Sequence, residues 1–193
     1  MIRVLLFSAL AAAMVAAAPA GAAERYVIDT QGQHAFIQFR IPHLGFSWLY
    51  GRFNEFAGEF TFDPENPAAS SVSVEVRTPS IDTNHDRRDE HLRGEDFLTV
   101  AEHPVAIFES TEFTPLGDDR YRLAGDLTLM GRTAPIEIEV AEVGAGPDPW
   151  GGFRRGFEGR TTLNLKEWGI DYELPGAEEV ELTLSVEGVR QDG

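Results

Sequence analysis

The chain of 193 residues contains no cysteine. Disulfide staples and thiolate chemistry are thereby excluded, and stability must come from packing and strand pairing. The usual catalytic templates are missing too. Ser47, Ser70, Ser71, Ser80, Ser110 and Ser185 lie in no GxSxG elbow, and no P-loop, GxGxxG or HExxH occurs. Tyrosine and tryptophan are scarce, at four and three. Positive charge is thin: 16 Lys and Arg stand against 32 Asp and Glu, a net of −16. Such a field repels nucleic acid and anionic membrane surfaces and favours solubility. It points to a neutral ligand, or to one whose small charged group meets a local basic cluster.

One apolar run is long, Val4 to Ala18, broken only by Ser8. It falls short of the roughly 20 residues that a spanning helix needs. Arg3 precedes it, Pro19 and Gly21 end it, and Ala20-Gly21-Ala22 has the small-x-small form of a signal-peptidase site. The pattern predicts a cleaved export signal over 1–22, cut after Ala22 or Ala23, and a periplasmic domain over 24–190. No integral membrane segment is expected after cleavage. The absence of cysteine at the site excludes a lipoprotein anchor. The remaining chain would carry 15 basic and 32 acidic residues, enough length for one domain with a real core.

What fills that domain is alternation with a period of two. Val72, Val74 and Val76 interleave with Ser73, Glu75 and Arg77, and Val180, Leu182, Leu184 and Val186 do so with Glu181, Thr183, Ser185 and Glu187. Each such strand has one dry and one wet face. Strands are expected over 26–29, 34–41, 53–62, 71–78, 105–113, 120–129, 135–142, 157–165 and 179–188. Counting the first two as one broken strand gives an all-β, eight-stranded antiparallel barrel. Asp63-Pro64-Glu65-Asn66-Pro67 and Gly117-Asp118-Asp119 carry turn chemistry, and Met130-Gly131-Arg132 reads as a hairpin tip. Gly144 to Gly152 reads as a long surface loop.

An outer-membrane barrel would alternate in the same way, but needs strands of about 9–11 residues and aromatic girdles. The clean stripes here span three or four apolar positions, and Val189-Arg190-Gln191-Asp192-Gly193 lacks a terminal aromatic residue. The dry faces therefore point inward. Patterning leaves open whether the interior is packed or hollow. Phe36, Phe39, Phe46, Trp48, Phe53, Phe56, Phe60 and Phe62 crowd the early strands, and Gly58, Ala106, Gly125 and Gly159 fall within strands, where glycine marks a bend or a close approach.

The β-rhythm breaks at 82–104. Arg87 to Arg93 is predicted as two helical turns near one mouth, capped by Thr83 or Asn84 and stopped by Gly94. Thr99 and Glu102 have capping-box spacing ahead of Pro104. His85, Asp89 and His91 invite a metal reading, but His85 and His91 are six apart, not the three or four that share a helix face; no metal site is expected. Arg87, Arg88 and Arg93 form the densest basic cluster, suited to carboxylate or phosphate, or to neighbouring acids.

The motifs together resemble the YceI family of exported polyisoprenoid-binding proteins. The likeness rests on His43-Leu44-Gly45 before Gly51-Arg52-Phe53, Ser80-Ile81-Asp82-Thr83, Arg88-Asp89-Glu90-His91-Leu92-Arg93 and Asp96-Phe97. It continues through Pro104, Phe108-Glu109-Ser110-Thr111, Gly125-Asp126-Leu127-Thr128, Gly131-Arg132-Thr133, Asp148-Pro149-Trp150-Gly151-Gly152, Gly156-Phe157 and Trp168-Gly169-Ile170. It implies a lipocalin-like barrel with an apolar cavity, no catalysis and no cofactor. It also implies carriage or storage of an isoprenoid lipid or quinone. Ala35, Leu98-Thr99, Leu165 and Trp168 depart from the family pattern, which bears on which lipid fits.

Alternation selects a lumen set of Ile37, Phe39, Phe60, Val74, Val76, Ile107, Leu127, Leu129, Ile138, Leu163 and Leu184, with the phase at Phe60 and Ile107 open by one residue. Arg88, His91 and Arg93 are the candidates for a polar head. A packed accessory barrel of the cell envelope and a metal-dependent secreted hydrolase are the competing readings. The protein partner and the oligomeric state, a homodimer included, are left open.

Overall fold

The computed structural model describes residues 23–32, 34–171 and 178–191; the predicted export signal lies outside them. The strands are β1 (Glu24–Ile28), β2 (Phe36–His43), β3 (Ser47–Phe53), β4 (Phe56–Phe62), β5 (Ser71–Arg77), β6 (Ile81–Asp82), β7 (Val105–Gly117), β8 (Arg120–Leu129), β9 (Arg132–Pro147), β10 (Phe153–Asn164) and β11 (Glu179–Arg190). The single α-helix among the described residues is α1 (Asp86–Arg93).

These eleven strands close an antiparallel barrel of eight, because three staves are interrupted. One part of β11 pairs with β2 (Leu182 opposite Phe39) and another with β1 (Gly188 opposite Ile28), so β1 and β2 form one broken stave. β3 pairs with β6 while β4 pairs with β5, which makes β3/β4 and β5/β6 two more. The breaks are bridged: Asn54 N–H donates to the Ser80 carbonyl at 3.1 Å and Arg77 N–H to the Glu55 carbonyl at 2.9 Å. Pro79 has no N–H to offer a ladder, which is why the stave turns there as a short 3-10 segment, Thr78–Ser80.

The predicted turns form as their residues dictate. Met130 and Gly131 have φ of 52° and 70° between Leu129 and Arg132, and Asp118 and Asp119 have 52° and 55°; both are two-residue hairpin turns. Asp63 Oδ1 accepts from the N–H groups of Glu65 and Asn66. Three expectations are corrected. The strand expected over 53–62 begins earlier, as β3, and breaks at 54–55. The cap of α1 is His85, whose Nδ1 accepts the Arg88 N–H at 3.2 Å, not Thr83 or Asn84. The loop expected at 144–152 is strand in its first four residues and turn in the rest: Gly144, Ala145, Gly146 and Pro147 pair with β10, residues 148–152 make the turn, and a bulge lies between Gly156 and Phe157. Glycine-rich sequence can still pair when a neighbour supplies the ladder.

The interior divides into two clusters. One, at the end away from α1, packs Tyr26, Phe60, Phe62, Phe113 and Tyr121 with Ile138 and Val140. The other, beneath α1, packs Ile81, Leu98, Ala106, Leu129, Leu163, Trp168 and Ile170. No helix among the described residues is long and apolar enough to cross a membrane.

Candidate functional site: an apolar cavity beneath the helix

The two ends of the barrel interior are built from different side chains. Away from α1, rings interlock: Tyr26 stacks on Phe60 at 4.7 Å, Phe113 stacks on Tyr121 at 4.6 Å, and Phe157 meets Phe60 edge-on at 5.6 Å. Only about 110 Å³ remains open there. Beneath α1 the wall is mainly aliphatic, and Ala106 on β7 adds little bulk. Phe39 lies flat against the wall because Gly51, opposite it on β3, has no side chain; a β-carbon at Gly51 would sit 2.2 Å from the ring. The result is a cavity of about 320 Å³, in the range of small-molecule sites.

Its lining is apolar apart from Arg88, His91, Lys166 and Glu178. α1 is held over it by a buried carboxylate. Asp89 accepts from the backbone N–H of Thr83 at 2.9 Å and from the Thr83 hydroxyl, while Arg88 donates to the Thr83 hydroxyl and carbonyl at 2.7 and 2.8 Å. His91 Nε2 contacts the Asp96 carboxylate at 2.9 Å, and its ring meets Phe97 edge-on. At the rim, Lys166 pairs with Glu178 at 3.4 Å, and this carboxylate raises the lysine pKa.

Six of the lumen set, Ile37, Phe39, Val76, Leu127, Leu129 and Leu163, face this cavity. Phe60, Val74, Ile138 and Leu184 face the small void among the rings. Ile107 is corrected: it stands opposite Glu75, and cross-strand partners share a face, so it points outward. Val105 to Phe108 is apolar throughout and cannot set its own phase; Ala106 and Phe108 are the inward residues. Arg93 is corrected as well. Its guanidinium donates to the Pro79 and Ile81 carbonyls at 2.7 Å each, clamping α1 to the broken stave instead of lining the cavity. Lys166 was not foreseen, although it is the only lysine in the chain.

The far end is closed by an unforeseen polar knot. Arg155 is buried, donates to Glu142 at 2.6 Å and to the Tyr26 hydroxyl at 3.3 Å, and lies over the Phe62 ring at 4.2 Å. Burial pushes the Glu142 carboxyl up. Tyr26 in turn donates to Glu24, which also takes Arg190. On the outer surface Asp29, His34 and Glu187 converge as a metal site would. Arg154 already fills the role of cation there, bonded to Asp29 at 2.7 Å and to Glu187, and holds the Asp29 carboxyl down at about 2.

The YceI-like domain profile matches residues 26–188. A UPF0312 protein of Pseudomonas aeruginosa is 56% identical over 184 residues, covering 95% of each chain, and one of Pectobacterium carotovorum is 50% identical over 192 residues, covering 99% of this chain and all of its own. Among solved structures, BcnA of Burkholderia cenocepacia superposes with a TM-score of 0.73 at 19% identity, over 83% of this chain and 98% of its own. A polyisoprenoid-binding domain from Saccharophagus degradans, described as implicated in plant cell wall breakdown, superposes with 0.62 at 12% identity, over 86% and 98%.

Proposed function

Because the chain belongs to the YceI-like domain family, we propose that its barrel holds one long-chain isoprenoid lipid or quinone in the cavity beneath α1. It carries or stores that lipid in the periplasm without transforming it. The observation that carries this reading is the contrast within one lumen: rings close one end, and the other keeps about 320 Å³ lined by aliphatic side chains. A water-filled space of that lining would be costly, whereas each buried CH₂ of a lipid gains about 0.8 kcal/mol.

The four polar groups sit where a lipid head would emerge. Arg88 and His91 roof the cavity and Lys166 with Glu178 rims it, so a carbonyl, hydroxyl or phosphate head would find donors while its tail lay among Val76, Leu127 and Leu129. The solved isoprenoid-binding relative supports the ligand class, and the export signal expected over 1–22 supports the compartment.

Mass spectrometry of an organic extract, from protein purified out of its native envelope fraction, tests the proposal. A stoichiometric isoprenoid or quinone is expected. An extract without such a lipid, together with no uptake of a fluorescent isoprenoid analogue by the delipidated protein, would overturn it.

A further inference from the structure

The hairpin that walls the cavity on one side ends in an unusual tip. Rungs Ile41 and Leu49 of β2 and β3 point inward and line the cavity. Beyond them the chain turns through Leu44, Gly45 and Phe46, closed by the Phe46 N–H on the His43 carbonyl at 2.9 Å. Leu44 holds a φ of 52° and Gly45 one of 75°. Asn, Asp or Gly would adopt such a turn at lower cost. The exposed side chains there are large and apolar: Phe46 is 86% exposed, Tyr50 61%, Leu44 44% and Trp48 43%. Arg40 lies over the Trp48 ring at 4.2 Å.

Charge sets this stretch apart as well. In a chain with 32 acids, no carboxylate occurs between Asp29 and Glu55. The two arginines flanking the tip are neutralised by other strands, Arg40 by Glu181 and Arg52 by Asp82. Leu44, Phe46, Trp48 and Tyr50 could therefore leave water without burying an unpaired charge. Tryptophan and tyrosine prefer the bilayer interface, with the ring in the acyl boundary and the polar edge among headgroups.

We propose that the β2–β3 tip is a membrane anchor that inserts Leu44, Phe46 and Trp48 shallowly into a phospholipid bilayer, setting the rim of the cavity against the lipid. The purpose of this contact rests on the carrier reading, since an isoprenoid chain resides in a bilayer before it resides in a protein. The contact itself does not. The attraction is apolar, not electrostatic: Asp86, Glu90, Glu95 and Asp96 lie at the same end of the barrel and repel anionic lipid.

Co-sedimentation of the purified, delipidated protein with phosphatidylcholine vesicles is the test, repeated with vesicles in which half the lipid is phosphatidylglycerol. Binding to phosphatidylcholine is expected, weaker on the anionic vesicles. Phe46→Asp should reduce partitioning at least tenfold with melting unchanged, and Leu116→Asp, an exposed apolar residue at the opposite end, should not alter it. The proposal is overturned by no binding of the parent, by equal binding of Phe46→Asp, or by equal loss in Leu116→Asp. A parent dimer that Phe46→Asp dissociates, with neither protein on vesicles, also overturns it in favour of self-association. Uptake of the fluorescent isoprenoid analogue from dilute ethanol, with no vesicle present, should be the same in parent and Phe46→Asp. Failure of that uptake in the parent would sink the carrier reading and leave the vesicle result standing.

Discussion

Replacing Trp168 by alanine should lower the stability of the barrel by about 3–5 kcal/mol, the range for removing a large aromatic side chain from a packed core. Trp168 ends the 3-10 turn Leu165–Trp168 and is 1% exposed. Its ring is part of the cluster beneath α1 with Leu129, Leu163 and Ile170, and its indole N–H donates to the Leu127 carbonyl at 3.0 Å. The turn is stopped by Gly169 at a φ of 86°, where a β-carbon would strike the Arg132 guanidinium. Alanine leaves a void that this constrained turn cannot close. Trp168→Phe keeps most of the apolar bulk and loses the N–H, so it should cost about 1–2 kcal/mol. Urea unfolding at constant pH measures both.

Arg155→Met should cost about 3 kcal/mol near neutral pH, because it strands a part-buried carboxylate whose partner is gone. Glu142 faces the interior through its bond to Arg155, and burial already raises its pKa against the pull of that arginine. With Arg155 gone the carboxyl rises further. A carboxyl raised in the folded state stabilises at low pH, and that contribution is lost as pH climbs from the ordinary carboxylate range through the folded value. The deficit of Arg155→Met should therefore be small in acid and grow toward neutrality. Arg155→Met with Glu142→Gln removes the titrating group and should recover much of the loss and flatten the pH profile. A deficit independent of pH would show that packing, not the stranded charge, is responsible.

The legible parts of the fold are those where local chemistry fixes the answer. Val72 to Arg77 and Val180 to Glu187 alternate without ambiguity, and the pairs Met130-Gly131 and Asp118-Asp119 accept the positive φ that tight hairpins need. The phase at Ile107 stays open in sequence because a continuous apolar run carries none of its own, and the pairing with Glu75 settles it as outward. The tilt of the interior, filled at one end and open at the other, was not legible at all. Val74 and Val76 look alike in sequence, and only the ring interlocking of Phe60, Phe62, Phe113, Tyr121 and Phe157 distinguishes their surroundings. Arg155 could have been found. Stepping back by twos from Leu163 along β10 passes Phe157 and reaches Arg155, which the same alternation places inside. The role of Arg93 is not legible in sequence because its acceptors are the Pro79 and Ile81 carbonyls, which leave no trace in residue type.

The central claim, a lumen hollow beneath α1 and packed beyond it, is tested most directly by placing one bulky ring at two neighbouring inward positions of β5. Val76 faces the cavity and Val74 the ring cluster. Apo melting and retention of a fluorescent isoprenoid analogue are measured for Val76→Phe, Val74→Phe and the parent. Val74→Phe should overpack and cost about 1–3 kcal/mol, while Val76→Phe should leave apo stability nearly unchanged and weaken retention at least tenfold. Equal destabilisation by both rings, with retention by Val76→Phe equal to the parent's, would contradict it.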